Sequence, residues 1–258
     1  MSALGALAMT QRASGGACCQ PPAQAGAADA LRIGGLTPLT SIDYPGELAA
    51  VVFCQGCPWR CRYCQNADLI PARVKDPIPW SEVRGLLRCR RGLLDALVFS
   101  GGEPTLQAAL PAAMAEAAAL GFKIGLHTAG PCPQRLRRLL PWLGWVGLDI
   151  KALPERYLEV TRVPGSGERA WASLDLLLGA GVALEVRTTL MPGWTPERDI
   201  LPLVERLAAR GVERYVVQPA RTSACLDPGL AVSRGGYPLA ELRAIGPRRF
   251  RRFEVRAG

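Results

Sequence analysis

The sequence contains one histidine, three lysines and no apolar run of the length needed to cross a bilayer. A single histidine excludes a multi-histidine zinc site and a facial triad of two histidines and a carboxylate. A short apolar patch, Ala3 to Met9, has no basic residue before it, so no signal peptide is expected. With neither span nor leader, the expectation is a cytoplasmic protein that does not engage a membrane. The lysines are Lys75, Lys123 and Lys151, so arginine carries nearly all of the +9 net charge. Arginine bias in a chain rich in Ala, Gly and Pro reflects coding composition more simply than a nucleic-acid footprint.

Cysteine, by contrast, is plentiful: nine residues in 258. An odd, clustered set argues against a secreted disulfide scaffold, and nine thiols beside one histidine favour a soft, thiolate-held metal. A hydrophobic fraction of 49% with 21% charged residues describes a globular chain able to bury a substantial core.

Residues 1–30 are an Ala/Gly/Gln/Pro segment without strand or helix period, expected to be a disordered tail; Cys18 and Cys19 lie in it. From Ile33 the chain alternates. Short apolar runs at 49–53, 96–99, 123–126, 146–150, 184–190 and 215–217 read as strands. Helical patterns at 81–90, 111–120, 134–140, 171–178 and 197–210 fall between or after them. About six strand-then-helix units predict an α/β fold with a parallel sheet, and six rather than eight predict an open, partial (β/α)6 barrel. The ordered domain is expected over 31–258, with a core at about 48–220 and a C-terminal extension over 221–258. Function in such sheets sits at the C-terminal strand ends, where the unusual residues of this chain also lie.

After the first strand, Cys54, Cys57, Cys61 and Cys64 fall within eleven residues. A four-thiolate zinc site would pair Cys54 with Cys57 and Cys61 with Cys64. Zinc ribbons, however, separate two such pairs by roughly 15–20 residues so that the knuckles face each other. The other parsing takes Cys57, Cys61 and Cys64, three thiolates around one face of a 4Fe–4S cube, with one iron left open. Cys54 is then a strand-end residue.

With Tyr63 before its last cysteine, this loop resembles that of the radical S-adenosylmethionine (SAM) superfamily. The resemblance implies a single 4Fe–4S cluster on Cys57, Cys61 and Cys64, with SAM at the open iron and Tyr63 near its adenine. Gly101-Gly102-Glu103-Pro104 is similar to the superfamily element that holds SAM's amino group. Asp149-Ile150-Lys151 is similar to an Asp-x-Lys motif that lies beside the SAM carboxylate in glycyl-radical activases. There it pairs with an Asp-Thr-Asn-Gly element, but here the third strand ends His127-Thr128-Ala129-Gly130. The resemblance leaves His127 a structural residue or a hydrogen-bond partner of the SAM carboxylate or of Asp149. Arg187, on the fifth strand, is either half of an internal salt bridge to Glu185 or Asp149, or a SAM contact.

Further segments, Gly34-Gly35-Leu36, Ser41 to Gly46, Leu93-Leu94-Asp95 and Val255-Arg256, resemble the longer type of anaerobic ribonucleoside-triphosphate reductase activating protein. That implies an enzyme that makes a glycyl radical on a partner, probing two expected partners: the reductase itself and a low-potential donor such as flavodoxin. Two alternatives stay open. One is radical chemistry on a small molecule or on another glycyl-radical enzyme. The other is a zinc-thiolate module using Arg248-Arg249-Phe250-Arg251-Arg252-Phe253 on nucleic acid, against a plain final strand with a solvated arginine face. Cys89, Cys132 and Cys225 are isolated and expected to be incidental.

Overall fold

The computed structural model describes residues 26–223, 225–230 and 236–256. Aliphatic runs such as Ala49 to Cys54 form strands because alternate side chains find apolar partners on both faces of the sheet. The strands are β1 (Ile33–Thr40), β2 (Ala49–Cys54), β3 (Ala96–Gly101), β4 (Lys123–Thr128), β5 (Leu143–Asp149), β6 (Ala183–Leu190), β7 (Arg214–Pro219) and β8 (Arg252–Val255). They form one eight-stranded sheet in chain order. β1 pairs antiparallel with β2, and every later pair is parallel. Among the described residues no pairing joins β1 to β8, so the sheet curls as an open, partial barrel.

Helices α1 (Trp80–Cys89), α2 (Leu110–Ala119), α3 (Pro133–Leu139), α4 (Tyr157–Thr161), α5 (Ser166–Ala180), α6 (Leu201–Ala209) and α7 (Leu239–Arg249) fill the crossovers. The main core lies between sheet and helices and includes Ala50, Val52 and Cys54 from β2. Their neighbours Ala49 and Val51 face inward, with Tyr44, Ala96, Val98 and Trp145, in a smaller core inside the barrel. Tyr44 reaches it from the β1–β2 connection, its ring 5.4 Å from that of Trp145. Gly144 makes room for it, since a Cβ there would stand 2.8 Å from the Tyr44 hydroxyl. The Ser41 to Gly46 segment therefore closes the barrel from the N-terminal ends of its strands.

Several expectations change. The sheet has two more strands than the six-unit pattern showed. Gly34, Gly35 and Pro38 weaken the strand signal of β1, and an edge strand tolerates them. Residues 27–30, expected in the disordered tail, form a 3-10 turn whose Ala28 is buried and whose Asp29 lies 3.2 Å from Arg84. The remainder of that tail, with Cys18 and Cys19, lies outside the described residues. The helix expected from Trp171 starts earlier, at Ser166, after the left-handed Gly165. The helix expected over 197–210 opens with a π-helical turn, Pro196–Ile200, before α6.

The C-terminal aromatics turn inward. Phe250 lies 4.8 Å from the Tyr215 ring, and Phe253 stacks on Phe250 at 6.2 Å. Arg249 and Arg251 pair with Glu205 and Glu213. Arg248, Arg249, Arg251 and Arg252 are exposed around the buried Phe250 and the half-buried Phe253, as in a final strand with a solvated arginine face. No helix among the described residues is long and apolar enough to cross a membrane.

Candidate active site

The cysteine loop leaves β2 and is fastened at both ends by backbone hydrogen bonds. Gly56 N–H donates to Leu69 O at 2.8 Å and Cys57 N–H to Ile70 O at 3.1 Å. Further on, Arg60 and Arg62 N–H groups donate to Thr161 O and Val160 O, each at 3.0 Å. Those carbonyls are the otherwise unpaired C-terminal acceptors of α4, so the loop caps that helix. Trp59 is buried edge-on against Tyr157, with ring centroids 5.9 Å apart. The Tyr157 hydroxyl accepts the Lys151 N–H at 2.9 Å, which links the loop to the end of β5.

Cys61 is buried, and Cys57 and Cys64 are partly so. Burial pushes the Cys57 thiol up to about 12, and burial also raises Cys61. Among the described residues no three His, Cys, Asp or Glu side chains converge on a single-ion position. A four-iron cube needs no such convergence, because each thiolate takes its own corner. Cys54 ends β2, fully buried on the helix side among Ala50 and Val52, with its thiol raised by burial.

Gly101 ends β3 and Gly102 follows it, and both are pressed against backbone. A Cβ on Gly101 would stand 2.4 Å from Cys54 N, and one on Gly102 would stand 2.5 Å from Gly56 O. Gly101 also has φ +113°, a conformation that L side chains rarely adopt. The glycines seat the cysteine loop on β3. Gly102 N–H donates to Cys54 O at 2.9 Å and Glu103 N–H to Gly56 O at 2.8 Å.

Glu103 follows, 1% exposed. Its Oε1 accepts from Thr105 N at 3.1 Å, Thr105 Oγ1 at 2.6 Å and Thr128 Oγ1 at 2.7 Å. Among the described residues its Oε2 accepts only from Ala129 N, at 3.0 Å. Burial raises the carboxyl pKa against the pull of these donors. Pro104, also buried, starts a one-turn 3-10 helix and fixes the chain as it leaves Glu103.

At the end of β5, Asp149 is shared by two cations. Arg187 Nε is 3.2 Å from Oδ1, and Lys151 Nζ is 3.4 Å from Oδ2. Burial works against the charge on Asp149, but Lys151 and Arg187 outweigh it and hold the pKa below the usual carboxylate value. Burial also opposes the Lys151 charge, yet Tyr63, Cys61 and Asp149 around it raise its pKa well above the ordinary value. Lys151 Nζ lies 5.4 Å from the centre of the buried Tyr63 ring, whose hydroxyl has no partner among the described residues.

His127 meets neither Asp149 nor Glu103 through a hydrogen bond. Its Nε2 lies 2.8 Å from the Asp43 carbonyl, and Nδ1 lies 3.4 Å from Ser100 Oγ. A carbonyl only accepts, so the proton is on Nε2 and Nδ1 faces the hydroxyl. Burial and then Arg187 lower its pKa to about 3. The ring is thus a neutral strut that holds the Ser41 to Gly46 segment inside the barrel.

Of the two partners weighed for Arg187, Asp149 is the one it meets. Glu185, 1% exposed, pairs instead with Arg214 at 2.7 Å and Arg256 at 3.2 Å. Two further residues shape the site: Thr128, whose place beside His127 at the end of β4 is a visible signal, and Tyr157, which nothing local marks because it acts through a contact six residues back.

A model of the radical SAM superfamily matches residues 51–212. A protein of Methanocaldococcus jannaschii assigned as a glycyl-radical enzyme activating enzyme is 28% identical over 206 residues, 72% of this chain and 78% of the relative. Pyruvate formate-lyase-activating enzyme of Streptococcus mutans is 29% identical over 201 residues, 70% of this chain and 74% of the relative. Among solved structures, Streptococcus suis SuiB bound to S-adenosylmethionine superposes with a TM-score of 0.60 at 16% identity, covering 79% of this chain. The chain spans 48% of SuiB, and at this identity the likeness is one of fold.

Proposed function

The chain belongs to the radical SAM superfamily and is an enzyme of that type, and from this premise we propose that it generates a glycyl radical on a partner enzyme, anaerobic ribonucleoside-triphosphate reductase. The relatives assigned as glycyl-radical activating enzymes support the activase class. The resemblance of the Gly34 to Gly46 segments supports the particular partner.

The observation that carries the reading is the meeting of the cysteine loop, Glu103 and the Asp149–Lys151 pair at the C-terminal ends of β2, β3 and β5. The residues fit a 4Fe–4S cluster with SAM. Cys57, Cys61 and Cys64 supply three soft donors from one loop, while Cys54 faces the helix core. Glu103 Oε2 has one donor among the described residues and can take another from an ammonium group. The Tyr63 hydroxyl is buried without a partner among the described residues. When bound, the cluster and SAM together supply a one-electron cleavage of the sulfonium that yields a 5′-deoxyadenosyl radical.

In this reading Cys57, Cys61 and Cys64 hold the cluster. Gly101, Gly102 and Pro104 fix the backbone that aims Glu103 at SAM's amino group. Lys151 and Arg187 present positive charge toward its carboxylate, with Asp149 holding both in place, and Tyr63 lies by the adenine. His127 acts at one remove, by keeping the inner segment seated. The open edge between β1 and β8 gives a partner's glycine loop a way in. A low-potential donor such as flavodoxin supplies the electron.

Anaerobic loading with iron and sulfide, then SAM and a strong reductant, tests the chemistry. The expected product is 5′-deoxyadenosine, and none from a cluster-loaded protein would sink the proposal. Adding the anaerobic reductase tests the partner: a glycyl-radical signal in electron paramagnetic resonance is expected. Cleavage of SAM with no such signal would move the target to another glycyl-radical enzyme or a small molecule.

A further inference from the structure

Cys225, isolated in sequence, is brought against the cysteine loop by the strap that carries it. Leu226 N–H donates to Cys64 O and Asp227 N–H to Arg62 O, both at 2.9 Å. Gln65 Nε2 donates to Arg221 O at 2.9 Å. Asp227 forms ion pairs with Arg62 at 2.7 Å and Arg162 at 3.0 Å. These contacts lie on both sides of Cys225. A hydrogen bond from the residue after Cys225 to the Cys64 carbonyl holds their Cα atoms about 5–7 Å apart by covalent geometry. Native disulfides span roughly 4.4–6.8 Å between Cα atoms. Both side chains are partly buried and pack on the same core. The Cys225 thiol now donates to Asp227 O at 3.1 Å and Thr222 O at 3.4 Å, within its own turn.

We propose that Cys64 and Cys225 form a reversible disulfide under peroxide when the loop carries no cluster, so that the strap stores a cluster ligand in a recoverable oxidation state. The chemistry balances with hydrogen peroxide as oxidant. One thiolate attacks a peroxide oxygen, giving a sulfenic acid and releasing water once the leaving hydroxide is protonated. The second thiolate attacks the sulfenic sulfur and expels a second water. Two thiols thus lose two electrons, and the peroxide becomes two waters. Backbone pairing of the strap keeps the second thiol at high effective concentration, which favours the disulfide over a second oxidation of the sulfenic acid. A dithiol returns both thiols. That this stores a ligand rests on the cluster assignment above; the bond itself does not.

The test uses the full chain, purified anaerobically without iron, treated with hydrogen peroxide, alkylated and digested without reductant. A cross-linked peptide pair containing Cys64 and Cys225 is expected, and dithiothreitol should remove it. Cys225→Ser should lose that pair and accumulate sulfinic acid at Cys64, with several-fold less recovery of iron loading after dithiothreitol. Circular dichroism shows whether the variant is folded, and the wild-type peptide map stands without it. Cys225 fully alkylated while Cys64 is free, over-oxidised or joined to Cys57 or Cys61 would overturn the proposal. Failure of reduced, unoxidised protein to bind a cluster would count against the radical SAM site instead and leave the peptide map as its own readout.

Discussion

Arg187 and Lys151 each hold one oxygen of Asp149, Nε at 3.2 Å from Oδ1 and Nζ at 3.4 Å from Oδ2. A single carboxylate at the end of β5 thereby sets the positions of two cations, Lys151 just beyond that strand and Arg187 on the neighbouring β6. Loss of a charge-assisted hydrogen bond costs about 1.5–3 kcal/mol, or roughly 10- to 100-fold in binding. Arg187→Ala is therefore expected to weaken SAM binding by about one order of magnitude. Equilibrium dialysis on cluster-loaded protein measures it. Unchanged affinity would make the arginine a structural partner of Asp149 alone.

The cysteine parsing gives a sharp contrast. Cys57→Ala, Cys61→Ala and Cys64→Ala should each abolish stable iron loading. Cys54→Ala should keep it, with a stability cost of about 1 kcal/mol for the small cavity left in the helix-side core. Iron and sulfide analysis after anaerobic reconstitution decides. Loss of the cluster from the Cys54 variant would overturn the three-ligand assignment.

Gly102→Ala should loosen the loop. Its new methyl would stand 2.5 Å from Gly56 O and 2.7 Å from Leu69 O, both backbone atoms that have no easy way to yield. A loss of about 1–3 kcal/mol is expected, together with poorer iron loading. Gly85→Ala on α1 is the control, since nothing lies within 4 Å of its Cβ. It should be neutral or stabilising by up to about 1 kcal/mol. Thermal unfolding of both variants checks the pair.

His127 makes the fold sensitive to acid. Its folded-state pKa, lowered to about 3, lies below the ordinary 6.5, so the unfolded chain binds the extra proton between these values. Its contribution is complete above pH 6.5 and is lost as the pH falls toward 3. Each pH unit inside that window costs about 1.4 kcal/mol from this group. His127→Gln keeps a donor for the Asp43 carbonyl and does not titrate. Its stability should fall less than that of the wild type between pH 6.5 and 4.5, by roughly 2 kcal/mol in urea unfolding. Equal slopes would remove the histidine from the acid response. His127→Asp should be destabilising at neutral pH, because a carboxylate would face the Asp43 carbonyl.

Glu185 anchors the C-terminal strand to the barrel interior through Arg214 and Arg256. Glu185→Gln strands two arginines around a neutral amide, and a loss of roughly 2–4 kcal/mol is expected. Since Glu185 faces Arg214 and Arg256 rather than Asp149, iron loading of the folded fraction should be unchanged. Calorimetry with iron analysis separates the two effects.

Local pattern made much of this molecule legible. Apolar runs marked β2 to β7 because buried parallel strands need continuous hydrophobicity. The cysteine spacing marked the loop because thiols crowded onto one short segment are visible from spacing alone. β1 stayed hidden because its stability comes from pairing along β2, not from its own glycines and proline. Sequence shows that His127 stands near a strand end, and not that its ring nitrogens meet Asp43 and Ser100.

The sequence by itself determined the strand-and-helix alternation, the open barrel and the cysteine loop, since each rests on residue type and spacing along the chain. Only the tertiary structure decided what Gly101 and Gly102 accommodate, which carboxylate receives Arg187 and which arginines receive Glu185. It alone brought Cys225 from far along the chain to the backbone of Cys64. Those outcomes depend on contacts across the sheet between residues far apart in sequence, and local periodicity carries no record of such contacts.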